Sequence, residues 1–303
     1  MMNRSQLNVR FMEASILHVM RHGFLLVDKP AGITSHDAVS IVRRVLHERS
    51  VGHLGTLDPA ATGLLVMAVG KKALKVVQLF TKLTKEYEAG VFLGKVSSTY
   101  DSEGTIEFFD IPMGWNPPEQ ASIQREIADR FTGKIAQVPP AFSAISVGGV
   151  RAHRKARAGL NVDLPPREVE IKRCKITLYD YPKLTLSVLC GSGTYIRSLA
   201  HDLGRVLRCG AYLSSLRRTK VGDWSVADAK EPGDIGWTDV LPLKDVLKDF
   251  PRRDLTDADV EDIRCGRNIE ASIEPDTIAW HEYLPVAILV PAEDGSAHAR
   301  KVF

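Results

Sequence analysis

What this chain lacks narrows the possibilities first. None of its apolar runs approaches the roughly 20 residues that a helix needs to cross a bilayer; residues 64–69 make up one of the longest, so no membrane association is expected. Cysteine is scarce. The four, Cys174, Cys190, Cys209 and Cys265, are widely spaced and form no C-x-x-C pair, which argues against a zinc ribbon or a disulfide framework and fits a reducing cytoplasm. Residues 90–96 have the wrong spacing for a Walker loop and no hydroxyl after Lys95, and Gly191-Ser192-Gly193 lacks the third glycine of a dinucleotide loop. His18 and His22 have helical spacing but no carboxylate partner, so a metal site there is not expected. The acidic run 257–262 lacks the glycine of a calcium loop and reads as the solvated start of a helix.

What is present is a composition of ordinary globular type, with 44% hydrophobic and 25% charged residues over 303 positions. Its net charge of +3 conceals a division. Residues 223–303 carry 9 Lys+Arg against 18 Asp+Glu, and residues 1–222 carry 31 against 19. The basic charge falls in blocks: Arg151, His153, Arg154, Lys155 and Arg157 open one, and Arg197 to Lys220 holds six basic residues and one acid. A solvated helix face alternates its signs, so these blocks favour a surface that tracks phosphates over a merely soluble one.

Periodicity organises the rest. Residues 24–27 and 64–69 read as short buried strands, and residues 85–93 alternate strictly, with Tyr87, Ala89, Val91 and Leu93 on one side and Glu86 and Glu88 on the other. Ser35 is expected to cap a helix bearing Ala38, Ile41, Val42, Val45 and Leu46 on one stripe. A second helix is expected from Asn116-Pro117-Pro118 through Phe131, and a third after Gly193-Thr194 with Arg197 in its first turn. Residues 147–150 read as a tight hairpin, and residues 169–178 and 184–190 as long strands. Strands and helices come in irregular order, which predicts an α+β body with flanking helices around a mainly antiparallel mixed sheet. The expected divisions are an N-terminal extension, disordered, over 1–22; a main domain over 23–248 with a linker near 242–251; and a small β domain over 249–303.

The most informative stretch runs from Gly52 to Gly63, GHLGTLDPAATG. Its glycines permit close approach of another backbone, and Pro59 forces Asp58 into an extended conformation. A lone carboxylate is thereby presented on a stiff turn; a bare Asp-Pro pair would otherwise read as a turn residue. With Leu64-Leu65 appended, this loop resembles the catalytic motif of the TruB family of pseudouridine synthases. Further blocks fall in the family's order: GFLLVDKPxGxTS at 23–35, KEY at 85–87, TYDSEG at 99–104, QVPPxxSA at 137–144, GTYIRSLAxDLG at 193–204 and GAxLxxLRR at 210–218. The likeness is close over roughly 23–222 and weak beyond.

That resemblance implies a pseudouridine synthase fold, with an RNA-binding insert at about 135–165 and a tail similar to a degenerate PUA-type domain. It implies isomerisation of uridine-55 in the TΨC loop of tRNA, by base flipping and without metal or organic cofactor. Asp58 resembles the family's nucleophile, Tyr87 the tyrosine that stacks on the flipped base, and Arg197 the arginine paired with the aspartate. Leu216 resembles the apolar wall behind the uracil, and His53 the histidine supporting the opened RNA loop. Gly55, Thr56 and Tyr195 are further substrate-binding candidates, and Arg151, Arg154, Lys155, Arg157, Arg217 and Arg218 are candidates for the RNA backbone. Lys29 and Pro30 are assigned a structural part at the sheet edge. The chain departs from the family's pattern at Leu54, Ser192 and His153. The expected state is a cytoplasmic monomer acting on tRNA without an obligate protein partner. Two rivals stand beside it: a guide-RNA-dependent enzyme of the Cbf5/dyskerin type, and an RNA-binding or tRNA-folding protein.

Overall fold

The computed structural model describes residues 22–143, 146–147, 150–152, 155 and 164–303, with only the backbone of Ser146, Val147, Val150 and Arg151. The fold begins with β1 (Gly23–Lys29), helix α1 (Ser35–Val45), β2 (Val51–His53) and β3 (Thr62–Val69). Both β1 and β3 are apolar at nearly every position because both their faces are covered. Leu25, Val27, Leu65, Met67 and Val69 pack in one cluster, and Phe24, Leu26, Leu64, Val66 and Ala68 in another.

Helix α1 starts one residue earlier than its sequence suggests. Thr34, not Ser35, is the cap: its hydroxyl accepts from the Asp37 amide at 3.0 Å, and the Asp37 carboxylate accepts from the Thr34 amide at 2.9 Å. The Ser35 hydroxyl is spent elsewhere, on Leu57.

Helix α2 (Lys71–Val76) leads to β4 (Lys85–Leu93), whose alternation is that of a strand buried on one side. The short pair β5 (Lys95–Ser97) and β6 (Ile106–Phe108) precedes α3 (Gln120–Arg130). The two prolines expected to open α3 lie just before it, and Ile123 and Ile127 are fully buried. Then come β7 (Gly133–Gln137), the paired β8 (Ser146–Val147) and β9 (Val150–Arg151), β10 (Arg167–Asp180), β11 (Lys183–Cys190), α4 (Ile196–Val206) and β12 (Ala211–Val221).

Apart from the separate pairs β5-β6 and β8-β9, these strands form one mixed sheet in the order β14-β1-β3-β12-β4-β11-β10-β7, where β14 is Leu241–Pro242, β2 pairs with β3, and β13 (Trp224–Ser225) pairs with β12. The pairings in it are antiparallel except between β12 and β3, where Arg217 and Arg218 lie opposite Thr62 and Gly63. That parallel step brings β12 against the end of the 52–63 loop.

The stretch 242–251 is not a loose linker. It forms helix α5 (Leu243–Val246), and Leu243 and Leu247 are buried in a cluster with Ile278, Trp280 and Ile288. Those three belong to the second sheet, β15 (Arg252–Asp254), β16 (Thr277–His281), β17 (Leu284–Pro291) and β18 (Ala297–Val302), flanked by α6 (Asp257–Arg264). The architecture is α+β, with a large mixed sheet, flanking helices and a small C-terminal sheet sharing apolar contacts with the first.

Candidate active site

The loop between β2 and β3 is held from three sides. Ser35 donates to the Leu57 carbonyl at 2.9 Å and accepts from its amide at 2.8 Å. The fully buried Lys29 ammonium donates to the carbonyls of Pro30 and Ile33, each at 2.8 Å, and of Pro59 at 3.2 Å. From β12, Arg218 donates to the carbonyls of Leu64 at 2.7 Å, Gly55 at 3.0 Å and Thr56 at 3.5 Å. Gly63 has φ +101°, and a Cβ there would overlap the Arg218 backbone, so this crossing requires glycine. Asp58 is thus presented on backbone that has little freedom to move.

Opposite it stands Arg197, in the first turn of α4 and only 7% exposed. Its Nε lies 3.0 Å from one Asp58 oxygen and its Nη2 3.4 Å from the other, while Nη1 lies 3.3 Å from Asp101. The carbonyls of Phe142 at 3.0 Å and Thr99 at 3.4 Å accept its remaining protons. The start of α4 is itself fixed, because the buried Gln137 side chain accepts from the Tyr195 amide at 2.8 Å and donates to its carbonyl at 3.0 Å. These groups open onto a solvent-connected cavity of about 80 Å³ whose walls are Asp58, Ala60, Ala61, Asp101, Ser102 and Arg197 on one side and residues 213–216 of β12 on the other.

Burial pushes the Asp58 carboxyl above its ordinary value; Arg197 opposes this, Asp101 adds to it and Lys29 opposes it. A carboxyl whose pKa burial raises and one guanidinium draws back suits nucleophilic or acid–base work. Burial pushes the Cys174 thiol up to about 12 and Cys190 up to about 11, leaving both inert near neutral pH. Among the described residues no cluster of ligating side chains could hold a metal ion.

Of the residues singled out in sequence, Asp58, Arg197 and Leu216 meet in the cavity. Tyr87 lies behind it, 9% exposed, in the apolar cluster that includes Leu57 and Ala61 and against which Leu216 packs. Burial raises its hydroxyl pKa and the neighbouring Arg218 lowers it. His53 is half-buried, and its Nδ1 accepts from the Gly55 amide at 3.3 Å. Burial, then Arg218 and His36, push His53 down, so its imidazole is neutral at pH 7. Gly55 and Thr56 contribute carbonyls to Arg218, and Tyr195 is the residue that caps α4.

One of the basic candidates is corrected by the fold. Arg218 is 2% exposed and donates to loop carbonyls, so it has no surface to offer a phosphate. Strand alternation turns it inward, opposite Tyr87 and Gly63. Arg217 is reachable but is held by Asp28 through two bonds of 3.0 and 2.8 Å. Lys155 is half-buried; Arg154, Arg157 and His153 lie outside the described residues, as does the Arg151 side chain. Of the other departures, Leu54 is buried and Ser192 exposed.

Asp101 and Gln137 lie in the matched blocks 99–104 and 137–144, but the sequence assigned them no part in the site. Asp101, 7% exposed, is the second carboxylate on Arg197; it also accepts from the Thr99 hydroxyl and from the Glu103 amide at 3.0 Å. A buried aspartate in a short turn of hydroxyl and glycine residues was the available signal.

Known proteins resemble the chain over most of its length. Residues 43–196 match the TruB family pseudouridylate synthase N-terminal domain, and residues 197–233 match the tRNA pseudouridylate synthase B C-terminal domain. The chain is 42% identical over 255 residues to the tRNA pseudouridine synthase B of Mycobacteroides abscessus, covering 82% of this chain and 84% of that one. It is 36% identical over 293 residues to the protein of the same name from Dehalococcoides mccartyi strain CBDB1, covering 93% and 96%. Its fold is similar to a chain in the crystal structure of a Cbf5-Nop10-Gar1 complex, with a TM-score of 0.69 at 23% identity, covering 95% of this chain and 86% of that one.

Proposed function

The chain belongs to the TruB family of pseudouridylate synthases, and from that premise we propose that it converts uridine-55 in the TΨC loop of tRNA to pseudouridine, acting directly on the tRNA without a guide RNA. The observation that carries the reading is the Asp58 carboxylate, presented on a braced loop at a cavity and paired with Arg197 at 3.0 Å. The relatives that cover most of the chain are named tRNA pseudouridine synthase B, which supports tRNA as the substrate.

A uridine within a folded RNA loop must be extruded before a side chain can reach it. In this reading the flipped uracil enters the cavity beside Asp58, with Leu216 as its apolar wall and Tyr87 supporting the floor from behind. Asp58 attacks as the ionised carboxylate, oriented by Arg197. Attack on the uracil ring and attack on the ribose both begin from this ion. The N1–C1′ bond breaks, the uracil turns, a C5–C1′ bond forms, and the bond that the Asp58 carboxylate made breaks, which returns the free carboxylate. The C5 proton then leaves and N1 ends protonated, so the product has the same atoms as the substrate. In the same reading His53, on the loop that carries Asp58, supports the opened RNA.

The test is a pseudouridine-specific primer extension on unmodified tRNA transcript, with the purified chain and no other macromolecule. A single new stop at position 55 is expected. No stop on naked tRNA would overturn the guide-independent reading and favour the guide-dependent or binding-only rival.

A further inference from the structure

One aromatic contact near the cavity is not used by the chemistry above. The Tyr100 ring stacks on the His201 imidazole with centroids 3.9 Å apart and planes 11° from parallel. Tyr100 has φ +65°, a left-handed conformation that a bulky side chain rarely adopts and that its surroundings must hold in place. Its amide donates to the Ser97 carbonyl at 3.1 Å, and its carbonyl accepts from the Leu213 amide at 2.9 Å. On either side of it are Thr99, whose carbonyl accepts from Arg197, and Asp101, whose carboxylate pairs with Arg197. His201 lies four residues after Arg197 in α4, hence on the same helix face. The His201 Nδ1 is buried and has no hydrogen-bond partner among the described residues, so the stack is the contact that orients the ring.

We propose that the stacked Tyr100–His201 pair is a positioning device for the proposed isomerisation: it clamps the Thr99–Asp101 turn to the helix that carries Arg197 and so fixes that guanidinium between its two carboxylates. The inference rests on the reading of the Asp58 cavity given above. The charged groups facing the pair are Asp202 and Arg205. Burial, then Arg205, push His201 down, so a neutral imidazole stacks at pH 7. Burial, then Asp202, push Tyr100 up, with Arg205 opposing. Neither ring reaches the cavity walls, so both act through Arg197.

The experiment compares wild type with His201→Ala, His201→Phe and Tyr100→Gly, measuring single-turnover isomerisation of a tRNA transcript, tRNA affinity, melting temperature and the acid limb of the pH–rate profile. Tyr100→Gly removes the ring while keeping the left-handed turn, so it carries the test if His201→Ala folds poorly. Both ring-deleting variants are expected to be about 10- to 100-fold slower, the scale on which small misplacements act, with affinity within about threefold of wild type. Their acid limbs are expected to move to higher pH, because a displaced Arg197 opposes the burial of Asp58 less well; a general loss of stability would not move them. His201→Phe keeps a flat ring and is expected to restore the rate. Wild-type rates and limbs in His201→Ala and Tyr100→Gly, or a phenylalanine variant as slow as the alanine, would overturn the pair's role. An inactive wild type would overturn the functional reading and this proposal with it, whereas an active wild type with unimpaired variants would overturn the pair alone.

Discussion

Arg197 and Arg218 are both sealed from solvent, at 7% and 2% exposure, yet the regions around them differ in kind. Arg197 meets two carboxylates at the wall of a cavity. Arg218 has no carboxylate within ion-pair distance among the described residues and donates instead to the carbonyls of Gly55, Thr56 and Leu64. A buried guanidinium facing carbonyls ties backbone together; one facing carboxylates at an opening controls their ionisation and direction. The region around Arg218 braces the loop that carries Asp58, and the region around Arg197 is the proposed reaction site.

The largest separation is expected for Asp58→Asn. Isomerisation of tRNA should fall by about 10³-fold or more, the scale on which removing a nucleophile acts, while tRNA affinity in a filter-binding assay stays within about threefold. Equal loss of both would make Asp58 part of the binding surface. Arg218→Met should do the reverse, leaving three buried carbonyls without their donor. A loss of about 3 kcal/mol or more in urea denaturation is expected, and a variant as stable as wild type would remove Arg218 from the brace. Its neighbour sharpens the contrast. Arg217 pairs with Asp28 at a half-exposed site, so Arg217→Ala should change stability by no more than about 1 kcal/mol.

Much of this was legible in the sequence, for identifiable reasons. The strict alternation of residues 85–93 is that of β4, and the continuous apolar run of 64–69 is that of a strand covered on both faces. The Asp58-Pro59 turn was visible because proline restricts the residue before it. The failures share one cause, which is that distant partners decide what a residue does. Ser35 does not cap α1 because Leu57, far along the chain, takes its hydroxyl. Arg218 looked like part of a basic surface, since a charge count does not see which way a strand turns its side chains. Asp101 reaches Arg197 only because its turn bridges to Leu213 on β12, a pairing that no local pattern announces. The stretch 242–251 has the prolines and charge of a linker, but Leu243 and Leu247 have an apolar cluster waiting for them.

The measurement that bears most directly on the cavity is the pH dependence of single-turnover isomerisation in wild type and Arg197→Met. In the proposed reaction Asp58 acts as the anion, so the rate should fall as pH drops through its pKa. Burial already raises that pKa and Arg197 holds it down, so removing the guanidinium should move the acid limb to higher pH. A limb that stays in place or moves to lower pH would contradict the assignment of Asp58, ionised by Arg197, as the reacting group.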